Sequence, residues 1–208
     1  FRLMQITVDG NLYENGILVT KTEIANKCVS IAAGYNGGAL VLLNDGMVYY
    51  IAGENLVTGA ITDKSRASKC INVLGFGNSS RQFAAVFEDK EIVVYEASNG
   101  SIVSQGKWGP NNTPIAMGCY SGTMYNVDHV LVVTDDGKLY KTAIQGTLGG
   151  SRFCPGLVRE GTFASPVELK PTHDPNARWI EVCNAGSQPG YGVTAATSDG
   201  KMYASLSG

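Results

Sequence analysis

Leu131–Tyr140 reads LVVTDDGKLY: an apolar run, an acidic-glycine turn, and a second run that starts at Lys138. Asp-Gly between two apolar runs is the strongest short-range signal for a β-hairpin, because glycine accepts the positive φ that a tight turn demands. The arrangement recurs. Ile6–Tyr13 reads ITVDGNLY, Ala39–Tyr49 reads ALVLLNDGMVY, and Val193–Tyr203 reads VTAATSDGKMY. Phe83–Tyr95 reads FAAVFEDKEIVVY, with Lys90 in the glycine's place. The turn aspartates Asp9, Asp45, Asp89, Asp136 and Asp199 step by 36, 44, 47 and 63 residues. Self-similarity on that scale marks stacked or radially arranged units.

The composition agrees. Charged residues make up 16% of the 208, against the usual quarter, and there are 26 glycines. Short strands joined by turns fit this better than surface helices. Apolar positions alternate or form short continuous runs, as in half-buried and buried strands, and no amphipathic helix is found. The net charge of −2 and scattered Lys and Arg give no basic field, so no nucleic-acid partner is expected. The longest apolar runs are far short of the about 20 residues a transmembrane helix needs, so no membrane partner is expected. The chain starts at Phe1 without a signal-peptide pattern, and is expected to be part of a longer polypeptide.

Between the hairpins lie the other parts of each unit. Cys28–Ala33, Cys70–Leu74, Pro114–Met117 and Trp179–Val182 read as first strands, and each runs through a turn into an Asp hairpin. Ala52–Ser68, Ala97–Pro110 and Gly146–Gly161 read as connections, with a short strand at Ser165–Leu169. The expected fold is all-β: about four repeats preceded by a leading half-unit.

The five cysteines, Cys28, Cys70, Cys119, Cys154 and Cys183, are odd in number and widely spaced, with no C-x-x-C. Neither a zinc site nor a disulfide scaffold is built that way. Buried, reduced thiols are expected, and with them an intracellular, cytoplasmic or nuclear location. Three N-x-S/T sequons at Asn78, Asn99 and Asn111 pull the other way.

The unit resembles the regulator of chromosome condensation repeat family. Val29–Gly34 followed by Ala39–Tyr49, Ile180–Gly186 followed by Val193–Tyr203, and above all HVLVVTDDGKLY at His129–Tyr140 carry the likeness. His129 falls where that family has its repeat histidine. The other full units have Gly38, Gln82 and Gly192 there, and the closing Trp-Gly is absent. The resemblance implies β-propeller blades of a seven-bladed ring, residues 1–208 forming a single propeller domain. Two arrangements stay open: part of a ring whose other blades come from the same longer chain, or a smaller ring.

No catalytic residues, metal ligands or cofactor are expected. His129 reads as a structural hydrogen-bonding residue and His173, in PTHDPN, as a solvated turn residue. Gly75–Ser80 half-mimics a dinucleotide loop but lacks the third glycine and a following helix. The turn aspartates are spread one per unit. Tyr35, Tyr120, Tyr125 and Tyr191, each read as lying in the turn after a first strand, together with Trp108 in a Gly/Pro/Asn loop, are candidate partner-binding residues, since interfaces favour Tyr and Trp. Packing between blades is the competing reading for them. The expected function is a non-enzymatic protein–protein interaction domain of a larger protein. The resemblance implies a ubiquitin ligase or signalling protein as the setting, or guanine-nucleotide exchange on a small GTPase. A secreted inhibitory or sugar-binding propeller is a third possibility.

Overall fold

The computed structural model describes residues 3–33, 39–51, 59–60, 67–76, 82–96, 101–122, 127–144, 161–184 and 192–206. These contain strands and turns and no helix. The strands form five antiparallel sheets, each a meander in which sequence neighbours pair. Blade 1 is β1 (Met4–Ile6), β2 (Leu12–Glu14) and β3 (Ile17–Leu18). Blade 2 is β4 (Cys28–Ala33), β5 (Ala39–Leu43), β6 (Val48–Ile51) and β7 (Gly59–Ala60). Blade 3 is β8 (Cys70–Gly75), β9 (Gln82–Phe87), β10 (Glu91–Glu96) and β11 (Ile102–Lys107). Blade 4 is β12 (Pro114–Gly122), β13 (Val127–Thr134), β14 (Leu139–Ala143) and β15 (Val167–Leu169). Blade 5 is β16 (Trp179–Asn184), β17 (Gly192–Thr197) and β18 (Met202–Leu206). The first strands β4, β8, β12 and β16 touch in succession, which makes them the inner strands around a hub. The chain is a β-propeller, with the leading partial unit and four further units expected from the sequence.

The core lies between the blades. In β9, Phe83, Ala85 and Phe87 point into a cluster shared with Leu40, Leu42 and Tyr50 of blade 2. Ala84 and Val86 of the same strand point the other way, into a cluster with Met117, Cys119, Val130 and Val132 of blade 4. Likewise Leu131 and Val133 of β13 meet Trp179, Val182, Val193 and Ala195 of blade 5, and Val41 and Leu43 of β5 meet Leu12 of blade 1. Successive strand residues face opposite sides, so a second strand flanked by two blades is apolar at every position. β5 and β9 are buried along their whole length. At about 1.5–3 kcal/mol per fully buried large aliphatic or Phe side chain, these interfaces outweigh the exposed ion pairs, each worth about 0–1 kcal/mol.

The Asp turns share one geometry. The N–H groups of Gly10, Gly46, Gly137 and Gly200 donate to the carbonyls of Thr7, Leu43, Thr134 and Thr197 at 2.9, 2.9, 2.9 and 3.0 Å. These glycines have φ of 81°, 82°, 80° and 84°, while the aspartates before them keep negative φ. The loop is therefore a type I turn followed by a left-handed residue, not the two-residue mirror-image turn that Asp-Gly alone would specify. Among the described residues that mirror-image turn occurs between β2 and β3, where Asn15 (φ 50°) and Gly16 (φ 80°) both lie in the left-handed region.

Three of these turns also hand the chain to the next blade. The Gly10, Gly46 and Gly137 carbonyls accept the N–H groups of Cys28, Cys70 and Trp179, the first residues of β4, β8 and β16. Blade 3 breaks the pattern twice. Lys90 takes the left-handed position at φ 63°, and the residue that would donate to its carbonyl is Pro114, which has no N–H. The Lys90 carbonyl accepts from Trp108 N–H instead, at 2.8 Å. Its ammonium donates to the Pro110 carbonyl at 3.1 Å and to Asn111 Oδ1 at 3.3 Å.

The outer strands are the main departure from expectation. β11 lies inside the stretch 97–110 that reads as a connection, and β7 inside another. β12 and β13 run to Gly122 and back from Val127, so much of the stretch after Met117 expected to be turn is strand.

A prediction follows from the turn glycines. A Cβ on Gly200 meets nothing within 4 Å, whereas one on Gly10 would lie 2.8 Å from the Asn26 carbonyl carbon. Gly200→Ala should cost about 1–2 kcal/mol for the left-handed conformation alone. Gly10→Ala should cost more, because backbone must also move. Urea unfolding of the two variants measures the difference; equal losses would contradict the packed role of the blade 1 turn.

Candidate functional site

Each inner strand begins beside the neighbouring blade's turn, so the turns and the starts of β4, β8, β12 and β16 share one end of the hub. At that end every inner strand carries a β-bulge. Pairing skips one residue between Cys28 and Ser30, Cys70 and Asn72, Pro114 and Ala116, and Trp179 and Glu181. The skipped residues are Val29, Ile71, Ile115 and Ile180, all branched aliphatics, and they are 55%, 42%, 43% and 52% exposed. A bulge takes a side chain out of the pleat and re-aims it. Four in register place a repeated apolar position around the turn side of the hub. Next along the same strands, Ile31, Val73, Leu74, Met117 and Val182 line a cavity of about 320 Å³ with Glu181 and Cys183. That volume is at the lower end for small-molecule sites. The recurring aliphatic is visible in the sequence as the second residue of each first strand, whereas the bulge that turns it outward is not.

Farther from the hub, polar clips tie the incoming connector to the turn. In blade 4, Asn112 Nδ2 donates to Asp136 Oδ1 and Oδ2 at 3.0 and 3.1 Å and to Tyr140 Oη at 3.1 Å. Thr134 Oγ1 donates to the same carboxylate at 2.7 Å. In blade 5, His173 stands where Asn112 does. Its Nε2 lies 2.7 Å from Asp199 Oδ2, its Nδ1 is hydrogen-bonded to Tyr203 Oη, and Thr197 Oγ1 donates to Asp199 at 2.6 Å. His173 is exposed in a turn, as expected, and is also held by hydrogen bonds to its own blade's turn. The shared signal, Thr-x-Asp-Gly-x-x-Tyr, is visible at Thr134–Tyr140 and Thr197–Tyr203.

Hydrogen bonds from Thr197 and then His173 hold the Asp199 carboxyl down at about 2. Tyr203 and then Asp199 raise the His173 imidazole above its ordinary value. Desolvation works to raise Tyr203, but its bonds to His173 and Thr172 outweigh that and hold it at about 8.

Trp108 corrects an expectation. It is 2% exposed, its Nε1 donates to Asn112 Oδ1 at 3.1 Å, and its ring meets Tyr140 edge-on at 5.4 Å. It closes the core between blades 3 and 4 and sits at the turn end of the disc, so it is not a surface anchor. Tyr120 lies within β12 and not in a turn after it. Tyr35, Tyr125 and Tyr191 lie outside the described residues, as do Cys154 and the sequons at Asn78 and Asn99. His129 is buried, 8% exposed, in β13. Cys28, Cys70, Cys119 and Cys183 are not joined in disulfides. Burial pushes the Cys28 thiol up to about 11, but Cys183, expected to be buried, is exposed, because blade 5 turns that face of β16 away from blade 4. Among the described residues no group of three His, Cys, Asp or Glu could hold a metal, and no helix is long and apolar enough to cross a membrane.

No protein-family model and no curated protein matches the chain. Solved structures do. Human WBSCR16 is 13% identical over 97% of this chain and 58% of its own, with a TM-score of 0.57. YCF48, solved bound to D1 peptide, is 8% identical over 100% and 61%, with a TM-score of 0.61. Prp20p from Saccharomyces cerevisiae, described with its binding to Gsp1p and histones, is 15% identical over 97% and 55%, with a TM-score of 0.56. At such identities the likeness is one of fold: β-propellers of more than one kind. The chain spans less than two-thirds of each structure's length.

Two outcomes are expected. The His173–Asp199 pair stabilises the fold when both groups are charged. The histidine's contribution is complete below its ordinary value near 6.5 and is lost as pH rises through its raised folded value. The aspartate's contribution is complete above 3.8 and is lost as pH falls towards about 2. Unfolding followed from pH 3 to 9 should show a stability maximum between those limits that Asp199→Asn flattens, and an NMR titration should place His173 above its ordinary value. Separately, Trp108→Ala should cost about 3–5 kcal/mol, as for other buried aromatics. A near-neutral result in denaturant unfolding would return Trp108 to the list of surface anchors.

Proposed function

We propose that this chain is a non-enzymatic protein-interaction propeller of a larger intracellular protein, and that it engages its partner at the turn side of the hub. The observation that carries the reading is the register of Val29, Ile71, Ile115 and Ile180, exposed at one repeat position in four successive inner strands. Singly exposed aliphatics are ordinary; exposure at the same repeat position in four neighbouring inner strands is what sets these apart. Each residue forgoes part of the about 1.5–3 kcal/mol that full burial would give it, and a partner would recover this on binding. The peptide on YCF48 and the binding described for Prp20p support a protein as the kind of ligand. The absence of a disulfide among the four described cysteines supports a reducing compartment. The resemblance to the chromosome-condensation repeat leaves a ubiquitin-ligase or signalling protein as the proposed setting.

The test is site-specific photocrosslinking in the full-length protein in cells. A photoreactive residue at position 71 or 115 should give a discrete protein adduct. The same residue at Ile102, which is 58% exposed on the outer strand β11, should not. Equal labelling at all three positions would remove the hub as the site. Accelerated nucleotide release from a small GTPase would overturn the non-enzymatic reading.

A further inference from the structure

We infer that the segment received at the turn side of the hub is acidic as well as aliphatic: a partner chain that presents carboxylates beside a bulky aliphatic side chain. This rests on the protein-binding reading of the hub and specifies its chemistry.

The residue immediately before each inner strand, two before the bulged aliphatic, is Lys27, Lys69, Thr113 or Arg178. Their places are fixed by one repeated backbone bond. The carbonyls of Lys27, Lys69, Thr113 and Arg178 accept the N–H groups of Asn44, Glu88, Asp135 and Ser198 at 2.8, 3.0, 2.9 and 2.8 Å. Three of four blades thus set a cation beside an exposed branched aliphatic at the same end of the hub.

That charge is not spent on carboxylates. Lys27 Nζ donates to the Glu23 carbonyl at 3.3 Å and Arg178 to the Asp135 carbonyl at 3.2 Å. Among the described residues none of the three enters an ion pair. The lysines toward the outer strands differ: Lys107 pairs with Asp89 at 2.6 Å, and Lys138 with Asp136 at 3.9 Å and Glu168 at 3.8 Å. Two acids beside them keep their charge but form no ion pair with these cations, and accept from backbone donors instead. Glu88 Oε2 accepts from Lys69 N–H at 3.4 Å and Asp135 Oδ1 from Thr113 N–H at 2.9 Å. A docked carboxylate would therefore find cations that have hydrogen-bonding capacity left, beside exposed aliphatics whose cover by the partner would strengthen the attraction.

The experiment selects phage-displayed random 12-residue peptides on the intact chain and measures the best one, fluorescently labelled, by anisotropy. Selected sequences should place Asp or Glu within two residues of Leu, Ile, Val or Met. Affinity should fall as NaCl rises from 50 to 500 mM. Lys69→Glu with Arg178→Glu should weaken binding tenfold or more, Lys69→Gln with Arg178→Gln should weaken it less, and Lys138→Glu should leave it unchanged, all with native circular dichroism. If Ile71→Ser weakens binding while the charge variants do not, the hub remains the site and the acidic chemistry is wrong. If neither matters, both readings fall. A selection without acidic bias, or one that enriches nothing, also overturns the inference.

Discussion

No blade of this protein has an inside of its own. Its apolar side chains leave the sheet alternately on two sides, and each side is covered only by another blade. The second strand bears this constraint most heavily: Phe83, Ala85 and Phe87 belong to one interface, Ala84 and Val86 to the next. Removing one blade would therefore expose half the core of its neighbour. Stability here is a chain of nearest-neighbour interfaces, and no single ion pair or hairpin approaches the contribution of one of them.

Interfaces of that kind do not by themselves fix how one blade is set against the next, since apolar packing is non-directional. The turns supply direction. A left-handed residue aims its carbonyl at the next inner strand's first N–H, and a bulge one residue later re-aims the strand. Blade 3 shows how far the device bends. With lysine in the left-handed position and proline at the receiving end, the carbonyl finds Trp108, and the lysine's ammonium gains two oxygen partners.

The inner three strands of the blades were legible because turn and pattern agree: a second strand such as ALVLL is apolar throughout and ends at an Asp turn. The outer strands were not. Ile102–Lys107 reads IVSQGK, where one face meets solvent and only Ser104 is buried, so neither periodicity nor β-branching separates it from a loop. Trp108 and Phe163 sit in connectors, where apolar residues look like surface features until the neighbouring blade is in place. The hub was half legible. The aliphatics at positions 29, 71, 115 and 180 look like ordinary strand residues, and only the skipped pairing turns them outward.

The Asp199–His173–Tyr203 arrangement has the outline of a catalytic relay: a carboxylate orienting an imidazole that meets a hydroxyl. Its counterpart in blade 4 argues for another role. There Asp136 and Tyr140 hold the same places in the repeat, with Asn112 between them. A carboxamide can bridge an acceptor and a hydroxyl but cannot serve as a base. What the two blades have in common is the bridge, a polar strut joining the connector to the turn and to the third strand, close to Trp108 in one blade and Trp179 in the other. The histidine adds charge to a strut that works without it. The polar network at the turns is thus accounted for by the architecture, and Arg178 adds a bond to the Asp135 carbonyl of the neighbouring blade, whereas the exposed aliphatics of the hub make no such tie.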